Sequence, residues 1–418
     1  MTKGEETGCI YIVNTKVRDL IDEVNKNNEK DGKINKSIFK DLTKNNNKII
    51  EITSELRNII GKKFNYSNIN FLIGTGTSID AGAKSIDCRD DKIKTPLENS
   101  RNKQIKNYRK QITDKNVEEL LNDLIQIKLY LNLMNKEVEH KEVEKLIEEI
   151  QSNFLEESVL NINYNFAILD SHKIFIKKIL ENNNSGLPIN IFTLNYDMLF
   201  ELVMDNMEIT YVNGFNGFQK RKFKPSLFNN QETIKQRINL IKLHGSLSWR
   251  ENLQLSPYGI EETQVEMKDN KIILKTAKEL IIYPSKLKEK LSFGIPYSDL
   301  FRVMIEKMNN LNSVLFIIGY SFSDEHINNI ITNSLSNPQL DIVIFSYRSI
   351  EEAENEYLKK LIEVAKTDSR ITILFGEYLA EFKFICKYIL PFSNDYNDEN
   401  ERILLSLKQL QGNRNGKN

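Results

Sequence analysis

The chain has 418 residues, enough for more than one average domain or for one large decorated α/β domain. Forty per cent hydrophobic residues allow a sizeable core, and 58 basic residues balance 58 acidic ones, which removes any overall electrostatic reason to expect nucleic-acid or membrane binding. Met1 to Val13 lacks signal-peptide character, no apolar run approaches a membrane span, and Cys9, Cys88 and Cys386 stand far apart; a reduced, cytoplasmic protein without a structural metal is expected.

The first segment, 1–66, is polar, and Ile38, Phe39, Leu42, Ile49, Ile52, Leu56 and Ile59 recur mostly at spacings of three and four, which predicts helices laid on a core. Ile69 to Ile73 then reads as a buried strand that runs into Gly74. A second helical block is expected at about 101–186. Val117, Leu120, Leu121, Leu124, Leu131, Met134 and Val138 mark one stripe in it, and Phe166, Leu169, Phe175, Ile176 and Ile179 another.

From Ile189 the texture changes to short apolar runs. Strands are predicted at Ile189–Leu194, Ile209–Val212, Ile238–Leu243, Leu280–Tyr283, Val314–Ile318, Ile342–Phe345 and Ile371–Leu374, with a helix at Met198–Met204 and helical patterns between the last three strands. Buried strands alternating with helices imply an α/β fold with a doubly wound, Rossmann-like parallel sheet, interrupted by the helical block as an insertion. The domain would span 67–390, leaving 391–418 as a polar tail.

Four strand-end motifs could carry chemistry. In Gly74-Thr75-Gly76-Thr77-Ser78-Ile79-Asp80-Ala81-Gly82 the glycines allow a tight turn and a close approach to a pyrophosphate, with a following helix N-terminus supplying N–H donors; an ordinary strand–helix turn also fits. The spacing is not the G-x-G-x-x-G of dehydrogenases, since Ile79 stands at the third glycine. Thr193-Leu194-Asn195-Tyr196-Asp197 offers an amide and a carboxylate to ribose, water or a carboxamide, or else a helix cap. His244-Gly245 closes a strand, and Gly319-Tyr320-Ser321-Phe322-Ser323-Asp324 repeats the pattern, with Ser323 or Asp324 as possible caps.

Together these motifs resemble the sirtuin-like superfamily, most closely its prokaryotic branch of NAD-consuming antiphage defence proteins. Gly74 to Gly82 is similar to the NAD loop, Thr193 to Asp197 to the T-x-N-x-D segment, His244-Gly245 to the catalytic His-Gly, and Gly319 to Ser321 to the ribose-binding G-x-S turn. Asn213-Gly214-Phe215, Tyr283-Pro284-Ser285-Lys286 and Pro296-Tyr297-Ser298-Asp299 add to the likeness. The resemblance implies an NAD glycohydrolase, with Asn195 holding ribose and water and His244 as base. Gly74, Gly76, Thr77, Ser78, Gly82, Asp197, Gly319 and Ser321 would bind NAD, the substrate. Sirtuin deacylases carry a four-cysteine zinc module that three cysteines cannot build, so no metal is expected. A protein ADP-ribosyltransferase or deacylase on the same core, or a non-catalytic NAD-binding scaffold, are the alternatives. The resemblance further implies a homo-oligomer partnered by a HerA-like ATPase or an Argonaute-type protein, the ATPase being favoured because no nucleic-acid-binding region is apparent, with no membrane. Because an unrestrained NADase would empty its host's NAD pool, low basal activity until activation is expected.

Overall fold

The computed structural model describes residues 11–12, 47–84, 88–109, 117–229, 238–252, 258–273, 296–347 and 355–393. The expected strand Leu280–Tyr283, the phrase Tyr283 to Lys286, the apolar positions Ile38, Phe39 and Leu42, and the tail from 394 lie outside the described residues. No helix among the described residues is long and apolar enough to cross a membrane.

The apolar runs form one central sheet. Its strands in chain order are β1 (Tyr11–Ile12), β2 (Asn68–Ile73), β3 (Ile189–Thr193), β4 (Tyr211–Val212), β5 (Ile238–Lys242), β6 (Ser313–Ile318), β7 (Leu340–Ser346) and β8 (Ile371–Phe375). In space the order is β1-β8-β7-β6-β2-β3-β5-β4. Seven strands are parallel, and only β1 runs antiparallel, against the end of β8. Thus the N-terminal segment, expected to be helical, also supplies an edge strand.

Every residue of β3, β5, β6, β7 and β8 is buried, as strands covered on both faces must be. Alternate residues feed two cores. Phe71, Ile191, Leu240, Phe316 and Val343 face one layer, where helices α1 (Asn47–Lys63), α6 (Asp170–Glu181) and α7 (Leu199–Asn206) pack. Leu72, Phe192, Ile241, Leu315 and Ile344 face the other, covered by α8 (Tyr297–Met308), α9 (Glu325–Ser334) and α10 (Glu356–Ala365).

Between β2 and α6 the chain forms α2 (Asp91–Asn99), α3 (Lys103–Tyr108), α4 (Val117–Leu133) and α5 (Glu137–Leu155), which close a third, separate core around Leu120, Leu124 and Ile150. The expected stripe stops at Leu131. Met134 and Val138 lie beyond the packed face, at the α4–α5 turn where Asn135 takes φ 54°, and both are exposed. A small antiparallel sheet built from Phe215–Asn216, Arg221–Phe223, Trp249–Glu251 and Ile260–Glu262 buries Trp249 against Phe215 and Phe223.

The strand register positions the site. Ile318 pairs with Ile73, Ile73 with Thr193, and Thr193 with Lys242. Four neighbouring strands therefore end at one level, and the residues that follow emerge side by side. The chain leaves β2 towards β3 but leaves β6 towards β7, so the strand order reverses between β2 and β6. Ligands of open α/β sheets bind at such a switch point, outside the carboxyl ends of the strands.

Candidate functional site

A cavity of about 310 Å³ lies at this switch point, within the range of small-molecule sites. Its wall includes Gly74 and Gly76 after β2, Asn195 and Asp197 after β3, His244 after β5, and Gly319, Ser321 and Asp324 after β6. All four sequence motifs thus meet in one place.

The turn after β2 is not the expected helix N-terminus. Two short 3-10 turns, Thr75–Thr77 and Ile79–Ala81, follow Gly74, and Gly82 ends the second with φ 102°. The glycines here serve a close approach of two turns. A Cβ on Gly74 would stand 2.3 Å from the Gly319 carbonyl oxygen, and one on Gly76 2.7 Å from the Gly319 Cα. Gly319 itself has φ 68°, in the region that favours glycine.

Asn195 is a tightly held polar group in the cavity wall. Its Nδ2, with two hydrogens to give, lies 3.1 Å from the Gly74 carbonyl, 2.9 Å from the Ser78 hydroxyl and 3.3 Å from the Thr77 hydroxyl, so one hydrogen is shared between two acceptors. The Gly74 carbonyl can only accept, which fixes the amide orientation. Oδ1 is thereby left buried with no partner among the described residues. Leaving such an acceptor unpaired costs about 1–3 kcal/mol, so it marks a place built for a donor.

Thr77, Ser78 and Gly82 do not line the cavity. Thr77 and Ser78 brace Asn195 from behind, and Ser78 also donates to Asp197 Oδ2 at 2.7 Å. Asp197 Oδ1 accepts from the Leu199 N–H at 3.2 Å, so this carboxylate is tied to the first residue of α7 while it lines the cavity. Lys242, the last residue of β5, secures the same turn. Its ammonium donates to the backbone carbonyls of Tyr196 and Asp197 and to Glu201 Oε1 at 2.8 Å. Burial pushes the Glu201 carboxyl up from its ordinary value, against the pull of Lys242.

His244 is 8% exposed, and its Nε2 lies 3.0 Å from Asp324 Oδ2. Asp324 also caps α9, with Oδ1 accepting from His326 N (2.9 Å) and Ile327 N (3.2 Å). The loop that carries it is strained. Phe322 has φ 58°, rare for a bulky side chain, and its carbonyl is held by Asn328 and Asn355, each at 2.8 Å. This turn exposes Ser321 and Ser323, whose hydroxyls are 3.0 Å apart, at the cavity.

Sequence reasoning treated Asp324 only as a cap and passed over Lys242, Glu201 and Lys84. Signals for two of them were present. A lysine ending the buried run I-N-L-I-K, and a glutamate inside L-F-E-L-V-M, both require a buried partner. Lys84 lines the cavity mouth and pairs with Glu157 at 3.1 Å. Phe154, Ser158 and Val159, at the end of the helical block, complete that side of the wall.

Behind the site, His172 of α6 is 1% exposed, edge-on to Phe200 and Phe382, and its Nε2 has no partner among the described residues. Burial depresses its imidazole from 6.5 to about 4, against an opposing pull from Asp197. The unfolded chain therefore takes up this proton first. The stability that the neutral ring contributes is present above pH 6.5 and is lost as pH falls through 4, roughly 3 kcal/mol in full. Urea unfolding at pH 7 and pH 4.5 should show a smaller loss in His172→Leu than in the unaltered protein; equal losses would contradict this.

No group of three or more His, Cys, Asp or Glu residues among those described is arranged to hold a metal ion. No curated protein matches the chain. Residues 189–365, which span Asn195, His244 and the Gly319–Asp324 turn, match the family model described as the SIR2-like domain, and this supports a place for the chain among sirtuin-like proteins.

Proposed function

We propose that this chain is an NAD glycohydrolase, breaking the nicotinamide–ribose bond of NAD with water to give nicotinamide, ADP-ribose and a proton; where an adenine nitrogen of the same molecule attacks in place of water, the product is a cyclic form of ADP-ribose. The observation that carries this reading is the pairing, in one switch-point cavity, of an unpartnered Asn195 Oδ1 with the His244–Asp324 hydrogen bond.

Nicotinamide in NAD is a pyridinium and leaves as a neutral molecule, so no strong acid is needed. The bond stretches toward an oxocarbenium-like state, and what helps is fixed geometry and negative potential near the ribose. Asp197 and Asp324 provide that potential from the cavity wall. Asn195 Oδ1 accepts from a ribose hydroxyl or from the attacking water. His244 takes the proton that the water loses as its oxygen bonds to the ribose carbon. Lys84 supplies a positive charge suited to the pyrophosphate, and Gly76, Gly319 and Ser321 line the same cavity.

The test is purified protein incubated with NAD, with and without acylated or unmodified peptide. Nicotinamide release without peptide supports hydrolysis. Release that depends on peptide would replace it with transfer or deacylation.

An intracellular NADase needs restraint, and we propose that the chain works as a homo-oligomer in antiviral defence, held at low activity until a HerA-like ATPase partner releases it. The exposed apolar side chains Leu129, Tyr130, Leu133, Met134 and Val138 at the α4–α5 turn are consistent with self-association. Light scattering should report a species larger than one chain, slow alone and faster with the partner. A monomer at full rate alone would contradict this.

A further inference from the structure

The two oxygens of Asp324 have separate tasks, and their assignment follows from geometry. Oδ1 sits over the start of α9 and accepts two backbone N–H bonds, so it cannot be exchanged for a donor without breaking the cap. Oδ2 faces His244 Nε2 at 3.0 Å. An ionised carboxylate only accepts, so the ring nitrogen across from it carries the hydrogen. The loop leaves little freedom to rearrange: the Asp324 N–H donates to the Tyr320 hydroxyl (3.2 Å), and that hydroxyl donates to Asn328 Oδ1 (2.9 Å).

We propose that Asp324 is a positioning residue that holds neutral His244 in the tautomer with hydrogen on Nε2, which makes Nδ1 the basic nitrogen of the site. The role as a base rests on the NADase reading above; the tautomer does not. In the reaction an O–H bond of water breaks, the oxygen bonds to the ribose carbon, the proton goes to Nδ1, and the electrons of the glycosidic bond leave with the nicotinamide nitrogen. The carboxylate steadies the imidazolium that forms but keeps no proton.

The cap makes Asp324→Asn a sharp test. Asparagine caps helices as well as aspartate does. Its oxygen must stay on the His326 and Ile327 N–H groups, so its NH2 is turned toward His244 Nε2. A donor there favours the opposite tautomer, with hydrogen on Nδ1.

The experiment uses full-length protein with ¹⁵N-labelled histidine at pH 8, without NAD. The chain has four histidines, and the His244 signals are those missing in His244→Gln. The unaltered protein should show a protonated Nε2 and an unprotonated Nδ1, and Asp324→Asn the reverse. In parallel, kcat for nicotinamide release should fall by about a hundredfold or more while KM changes by only a few-fold. Asp324→Ser, a second capping variant, should leave a mixture of both tautomers and a similarly low kcat. The same tautomer in the unaltered protein and Asp324→Asn, a doubly protonated ring in the unaltered protein, or an unchanged kcat in Asp324→Asn would overturn the proposal. If the unaltered protein shows no NAD cleavage, the base role falls with the NADase reading, while the ring signals still decide the tautomer.

Discussion

Asn195→Ala is expected to lower nicotinamide release from NAD by at least about a thousandfold while the protein remains folded. Catalysis loses its pre-aimed acceptor, because Oδ1 is held in place by the hydrogen bonds of Nδ2 to the Gly74 turn. The structural cost is small. Thr77 still donates to the Gly74 carbonyl at 3.0 Å, and Ser78 still donates to Asp197, so the turn keeps its own bonds. A stability loss of about 1–2 kcal/mol is the expectation. His244→Ala should be similarly inactive. Product assays beside thermal unfolding separate the two effects; a variant that turns over at the unaltered rate removes Asn195 from the mechanism.

Gly74→Ala should have the largest effect on stability. Its φ of −114° suits any residue, so the penalty is purely steric. The added methyl would fall 2.3 Å from the Gly319 oxygen and 2.8 Å from the Tyr320 Cα, both backbone atoms on the facing turn. Relief requires β2 and β6 to separate at their ends, where the cavity opens. A loss of about 3 kcal/mol or more is expected from overpacking of this kind. Gly61→Ala in α1 is the contrast. Its new methyl would meet only the Pro391 side chain, at 3.7 Å, and the helix should gain about 0.5–1 kcal/mol. Denaturant midpoints for the two variants decide the matter; equal shifts would show that the glycine contact carries no strain.

The strands were legible because burial on both sides of a parallel sheet demands continuous apolar runs such as V-L-F-I-I and I-V-I-F. Their level ending was not, because register is set by pairing between strands far apart in sequence. That level is what brings Gly74, Asn195, His244 and Gly319 together. The glycines announced a tight turn, but composition cannot say what a glycine faces, and here it is another turn. Periodicity gave the face of α4 but not where its partner helix ends, which is why Met134 and Val138 are exposed. Asp324 reads as a helix cap and is one. Its second oxygen, on His244, joins residues 80 positions apart and leaves no local pattern.

The most direct test is to incubate the purified chain with NAD alone and follow nicotinamide and ADP-ribose, linear and cyclic, beside the Asn195→Ala variant. Nicotinamide and ADP-ribose should appear in equal amounts with the unaltered protein, and the variant should leave NAD intact. NAD bound but uncleaved by the unaltered protein, or cleaved equally by both, would contradict the account.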